Sequence, residues 1–189
     1  MKQIFLTAIF FVLTVSIITS CRSVGFAQSK QDKVISSTGN TSTTNKEGLL
    51  PAQKGFVNDF ANILDPKTKK ELEQSLTKFK SQAKIDFVIA TVKTTGDKSI
   101  LDYSLAAAKD WEVGAKNPDK AGVFLLIAVE DRRWHIQITR VLEEVLSDAE
   151  VGELGAVMRP YFREQKYGEG VTKCAEAVIK MLKGKHGVK

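Results

Sequence analysis

The stretch from Gly122 to Asp148, GVFLLIAVEDRRWHIQITRVLEEVLSD, constrains this chain most. It opens with a continuous apolar run, Val123 to Val129, and turns a polar corner at Glu130-Asp131-Arg132-Arg133. Trp134, Ile136 and Ile138 then alternate with His135, Gln137 and Thr139. An unbroken apolar run reads as a strand buried on both faces, and a period of two as a half-exposed one. The short corner joins the two as a hairpin. Leu142 to Asp148 leave the sheet through an acidic exit toward a helix.

Upstream, Gly55 to Leu64 reads as an irregular lead-in with apolar anchors. Asp65 reads as an N-cap with Pro66 at the first helical position. Leu72, Leu76, Phe79 and Ala83 follow at helical spacing, which predicts a helix over 66–83. Phe87 to Val92 reads as a buried strand, and Thr94 to Asp97 as a turn. Ser99 with Asp102 resembles a capping box, opening a helix whose Leu101, Leu105, Ala108 and Trp111 face inward. A loop containing Asn117-Pro118-Asp119 leads into the hairpin. Ser147 and Glu150 form another capping box, starting a helix with Val151, Leu154 and Met158 that ends near Pro160. Val171, Cys174, Ala175, Val178, Met181 and Leu182 mark a last amphipathic helix. A strand-helix-strand unit implies a parallel pair with a right-handed crossover, and the hairpin adds an antiparallel strand. The expected fold class is α/β: a three-layer α/β/α sandwich around a small mixed sheet.

The N-terminus speaks to location. Lys2 precedes a nearly all-apolar run from Ile4 to Ile18, about 15 residues, which is short for a spanning helix and suits an export signal. Ile18-Thr19-Ser20-Cys21 resembles the bacterial lipobox, by which Cys21 would be acylated and become the first mature residue. Acyl chains hold a protein to a membrane through their buried methylenes. Two other readings stand: soluble secretion after cleavage at Ala27, and an uncleaved anchor. Each places the folded part outside the cytoplasm, in the cell envelope or the space around it. The expected organisation is a signal peptide over 1–20, a tether over 21–50, a folded domain over 51–184 and a basic tail over 185–189. The tether is rich in Ser, Thr, Asn and Gly around Ser36 to Asn45, too polar to order itself by burial.

The 189 residues leave room for one domain. The net charge of +6 is spread along the chain, without a Lys/Arg block or an aromatic platform, so no nucleic-acid partner is expected. With Cys21 acylated, Cys174 stands alone, and stability must come from the core.

Several segments together suggest a family: Val57-Asn58-Asp59-Phe60-Ala61, Gly122 to Ala128, Asp131-Arg132-Arg133, Leu142-Glu143, Leu146-Ser147-Asp148, Pro160-Tyr161-Phe162 and Tyr167-Gly168-Glu169-Gly170. In order and spacing they resemble the TPM domain, over about residues 54 to 183. That domain occurs in YgcG-like exported bacterial proteins and in a plant thylakoid-lumen phosphatase linked to photosystem II repair. The resemblance implies an exported, often membrane-tethered α/β sandwich. It also implies acid phosphatase activity in a plant member, calcium binding in some bacterial ones, and assembly or accessory roles in others. Family members commonly carry Gly-Tyr-Gly before the Leu-Glu, where this chain has Thr139-Arg140-Val141.

Asp59, Asp131, Glu143 and Asp148 are the candidate metal ligands. Acidic oxygens converging from loops suit Ca²⁺, which takes six to eight oxygens; in the other reading they make turn hydrogen bonds and support a helix start. Arg132, Arg133 and Arg140 are the candidate contacts to a phosphate or a partner, because guanidinium matches phosphate bidentately; a solvated hairpin tip is the alternative. His135 and His186 have no partner at ligand spacing, and Cys174 sits on an apolar helix stripe as a buried thiol. No nucleophile motif, P-loop or Cys-x₅-Arg pattern is present. The expected function is a lipid-anchored accessory or binding module with a membrane or envelope protein partner and a Ca²⁺ site. The alternative is a metal-dependent acid phosphatase acting on phosphate monoesters.

Overall fold

The structure is a computed structural model that describes residues 49–113 and 120–185. The signal segment, Cys21, the tether up to residue 48, Asn117-Pro118-Asp119 and His186 lie outside the described residues. The elements are β1 (Val57–Asp59), α1 (Pro66–Ala83), β2 (Asp86–Val92), α2 (Ile100–Asp110), β3 (Gly122–Ala128), β4 (Arg133–Ile138), α3 (Arg140–Glu143), α4 (Asp148–Ala156), α5 (Arg159–Arg163) and α6 (Tyr167–Lys185).

The strands form one sheet in the order β1-β2-β3-β4. β1, β2 and β3 are parallel, and β4 returns antiparallel to β3, with Leu125 opposite Ile136. Every residue of β2 and β3 is buried, as strands covered on both faces must be. Phe87, Ile89, Val123, Leu125 and Ile127 meet Leu72, Leu76 and Phe79 of α1, Val171, Cys174, Val178 and Leu182 of α6, and Leu154 of α4. On the opposite face Val88, Ala90, Phe124 and Leu126 meet Tyr103, Ala107 and Ala108 of α2. Burying each large apolar side chain stabilises the fold by about 1.5–3 kcal/mol, so these two layers supply most of the favourable free energy. Leu49 and Leu50 already pack on the α2 face, and the Tyr103 hydroxyl donates to the Leu49 carbonyl at 3.3 Å.

The three-layer architecture and the predicted helix over 66–83 are present. The Asp65 carboxylate accepts from the N–H of Lys67 and Thr68, each at 3.0 Å. Three details depart from expectation. The lead-in contains β1, which three pairs to β2 define and no local pattern announces. In α2, Leu101 and Leu105 are 51% and 55% exposed, while Ser104, Ala107 and Ala108 face inward. Small side chains let the helix sit close to a sheet that supplies its own bulk through Phe124 and Leu126. Pro160 does not close α4; it lies in the first turn of the separate helix α5, where its missing N–H breaks no helical bond.

Candidate functional site

The site grows from the hairpin between β3 and β4. The Arg132 N–H donates to the Val129 carbonyl at 3.1 Å, and Arg132 adopts φ +53°, a turn conformation that costs a non-glycine residue some strain. Asp131 clamps the tip. Its Oδ1 accepts from the Thr94 hydroxyl at 2.8 Å, and its Oδ2 from the Thr95 N–H at 2.8 Å. The bond from the Thr95 N–H, then that from Thr94, holds the Asp131 carboxyl below its usual range. Tied in this way to the turn after β2, the hairpin presents Arg132 and Arg133 outward.

α5 supplies the facing wall. Arg159 and Arg163 lie four residues apart and share one helix face. Between the walls is a groove of about 380 Å³ lined by Arg132, Arg133, Arg159 and Arg163, with Trp134, Phe162 and Tyr167 among its other residues. Trp134 and Phe162 meet edge to face at 6.3 Å, and Phe162 and Tyr167 at 5.1 Å. Two glycines make room for this aromatic floor. A Cβ on Gly155 of α4 would lie 2.5 Å from Trp134 Nε1, and one on Gly170 of α6 would lie 2.8 Å from the Phe162 ring.

Among the described residues, none of the four arginines forms an ion pair with a carboxylate. The groove lining contains no Ser, Thr, Cys, His, Asp or Glu. Four guanidinium groups line it as potential donors, and among the described lining residues none is suited to nucleophilic attack on a phosphate or acyl centre, the Tyr167 phenol being the nearest approach.

The remaining sequence candidates fall elsewhere. Arg140 opens α3 beyond the far end of β4 and does not line the groove. The four acidic candidates are not brought together. Asp59 sits at the end of β1, where its carboxylate accepts from the N–H of Ile63 at 3.2 Å and of Leu64 at 3.0 Å, and from the Thr91 hydroxyl. Asp131 is engaged with Thr94 and Thr95. Glu143 and Asp148 follow the other end of β4, a six-residue strand that spans about 17–20 Å. No group of three His, Cys, Asp or Glu able to hold a metal exists among the described residues. The four predicted calcium ligands are therefore not gathered around one point: Asp59 and Asp131 lie toward the hairpin end of the sheet, and Glu143 and Asp148 beyond the far end of β4. Cys174 is fully buried, and burial pushes its thiol up to about 12.

The TPM domain model matches residues 57–181. This chain belongs to the TPM domain family. The N-terminal domain of a P. gingivalis protein, solved by solution NMR, is 27% identical with a TM-score of 0.64, over 70% of this chain and 85% of that one. The N-terminal domain of the cg2496 protein from Corynebacterium glutamicum is 12% identical with a TM-score of 0.54, over 67% and 79% of the two chains. The BA42 protein from the psychrophilic bacterium Bizionia argentinensis is 15% identical with a TM-score of 0.55, over 65% and 83%. The last two likenesses concern the fold alone. No curated protein matches the chain. In this TPM domain Thr139, which opens the Thr-Arg-Val segment, prolongs the β3–β4 ladder. Its N–H donates to the Gly122 carbonyl at 3.0 Å, and its Oγ1 accepts from the Gly122 N–H at 2.9 Å.

Proposed function

We propose that this TPM domain is an exported accessory module, tethered to a membrane through acylated Cys21, that binds an anionic group of an envelope partner in its arginine groove. One observation carries the reading: among the described residues four guanidinium groups, none of them in a close ion pair with a carboxylate, surround an aromatic floor whose lining has no nucleophile-base pair. Guanidinium groups held side by side in excess over nearby carboxylates are stable only in contact with water or an anion, and the half-exposed aromatic area beside them gives a partner apolar contact. In this reading the attachment is the lipid at Cys21, just after the apolar run from Ile4 to Ile18.

The test has two arms. Labelling cells with a radioactive fatty acid should mark the wild-type chain and leave Cys21→Ser unmarked. In-cell cross-linking should trap an envelope protein with the wild type and lose it with the double variant Arg132→Glu, Arg163→Glu. The acid phosphatase alternative draws support from the same arginines, which suit a phosphoryl group. Metal-dependent hydrolysis of a phosphate monoester by the purified chain, lost in the same double variant, would favour that alternative over the binding module.

A further inference from the structure

The arginine groove is bordered at Trp134 by a second one. This second groove, of about 410 Å³, shares Trp134 and follows β4 to its far end. Its floor is β4 itself. Leu101 of α2 forms one wall, Val151 and Gly152 of α4 form the other, and Glu143 and Asp148 line the end opposite the arginines.

Among the described residues β4 is an edge strand, with β3 as its one neighbour. The bond from Thr139 N–H to Gly122 O sets the alternation of the ladder. Residues 133, 135 and 137 aim their backbone groups at β3, and Trp134, Ile136 and Ile138 aim theirs outward into the second groove. Among the described residues the N–H groups of these three have no hydrogen-bond partner, and of their carbonyls that of Ile138 is met by Gln137 Nε2 at 3.1 Å. Exposed edges are ordinarily blunted by charge, proline or a covering element. This one is flanked on one side by the exposed Leu101.

We infer that the second groove takes an extended peptide of a partner protein as a fifth strand, antiparallel to β4, whose end reaches past Trp134 to the arginines. The charge pattern selects the occupant and its direction. Arg132, Arg133, Arg159 and Arg163 at the start of β4 receive an acidic C-terminal residue with its carboxylate, and Glu143 and Asp148 at the other end receive a Lys or Arg. At about 3.4 Å per residue, the length of β4 separates the two by about five or six residues. Apolar side chains in between meet Leu101 on one face and Val151 on the other. The inference rests on the proposed anion-binding role of the arginine groove and adds the partner class.

The test is an array of synthetic heptapeptides of varied sequence with free C-termini, probed with the full chain in detergent. Bound peptides should end in Asp or Glu, carry Lys or Arg near the N-terminal end, and bind at least about tenfold more weakly when amidated. Gly152→Trp separates strand addition from simple anion binding. Gly152 is exposed on α4, lines the groove, and a Cβ there meets nothing within 4 Å, so a larger side chain leaves the backbone on the groove side of the helix. The substitution should cut affinity by about tenfold or more while the melting temperature stays within a few degrees of wild type. If Gly152→Trp binds like wild type while Arg163→Glu does not, the arginines bind an anion but no strand adds, and the inference falls while the module stands. If binding is indifferent to both variants, both readings fall. Absence of any bound peptide, or a concentration-dependent dimer abolished by Gly152→Trp, overturns the inference, the latter by placing a second copy in the groove.

Discussion

The guanidinium of Arg159 lies over the ring of Trp134, 5.7 Å from its centroid. This contact joins α5 to β4, the two walls of the arginine groove, and fixes the indole where both grooves meet. A half-exposed cation–π pair contributes about 0.5–1 kcal/mol. Arg159→Ala should lower stability by about that amount in urea unfolding and shift the Trp134 emission, whereas Arg159→Lys should retain part of both.

Gly155 and Gly170 are predicted to be intolerant of a single added methyl. Gly155→Ala drives Trp134, and Gly170→Ala drives Phe162, out of contact positions that leave less than 3 Å. Each should cost about 1–3 kcal/mol by overpacking. Gly152→Ala on the same helix as Gly155 should instead stabilise by up to about 1 kcal/mol, because it meets open space and reduces unfolded-state freedom. Urea denaturation of the three variants tests the ordering.

Asp59 serves the turn after β1. Removing its carboxylate leaves the N–H groups of Ile63 and Leu64 without their acceptor. Asp59→Ala should therefore destabilise by about 1–3 kcal/mol. The loss should be the same with and without millimolar Ca²⁺, and a calcium-dependent loss would show that Asp59 binds the ion.

Glu150 closes the capping box of α4 and meets Lys185 at 2.6 Å. The hydrogen bond from Lys185, then those from the Ser147 backbone and hydroxyl, lowers its pKa from 4.5 to about 2. A carboxylate depressed in the folded state stabilises above its unfolded pKa, and that contribution is lost as pH falls through the folded value. NMR titration should find the Glu150 midpoint near 2, and Lys185→Ala should move it up toward 4.5.

Much of the core was legible in the sequence because it is locally encoded. The apolar run of β3, the alternation in β4, and the Asp65 and Ser147 caps each carry their own pattern, and the structure realises them. β1 was not legible, since a strand of three residues exists only through its pairing with β2. The facing of α2 was ambiguous: Leu101 and Leu105 make an apolar stripe, but Ser104, Ala107 and Ala108 pack more closely. The groove was half legible. Arg132 and Arg133 stand out beside each other in the hairpin, whereas Arg159 and Arg163 reach it through the packing of Phe162 against Trp134 and Tyr167. The spacing of those two arginines around Pro160-Tyr161-Phe162 was the available signal, obscured by reading Pro160 as a helix end. Arg140 was misleading because the β4 strand carries the chain away from the hairpin before Arg140 occurs.

The central claim, an anion-binding arginine groove, is tested most directly by following the arginine side-chain Nε–H signals by NMR while a short glutamate peptide is added. Arg132, Arg133, Arg159 and Arg163 should shift together and saturate, with Arg140 unmoved as the internal control. Shifts that grow linearly without saturation, or that include Arg140 to the same extent, would contradict the claim and leave the four arginines as an ordinary solvated surface.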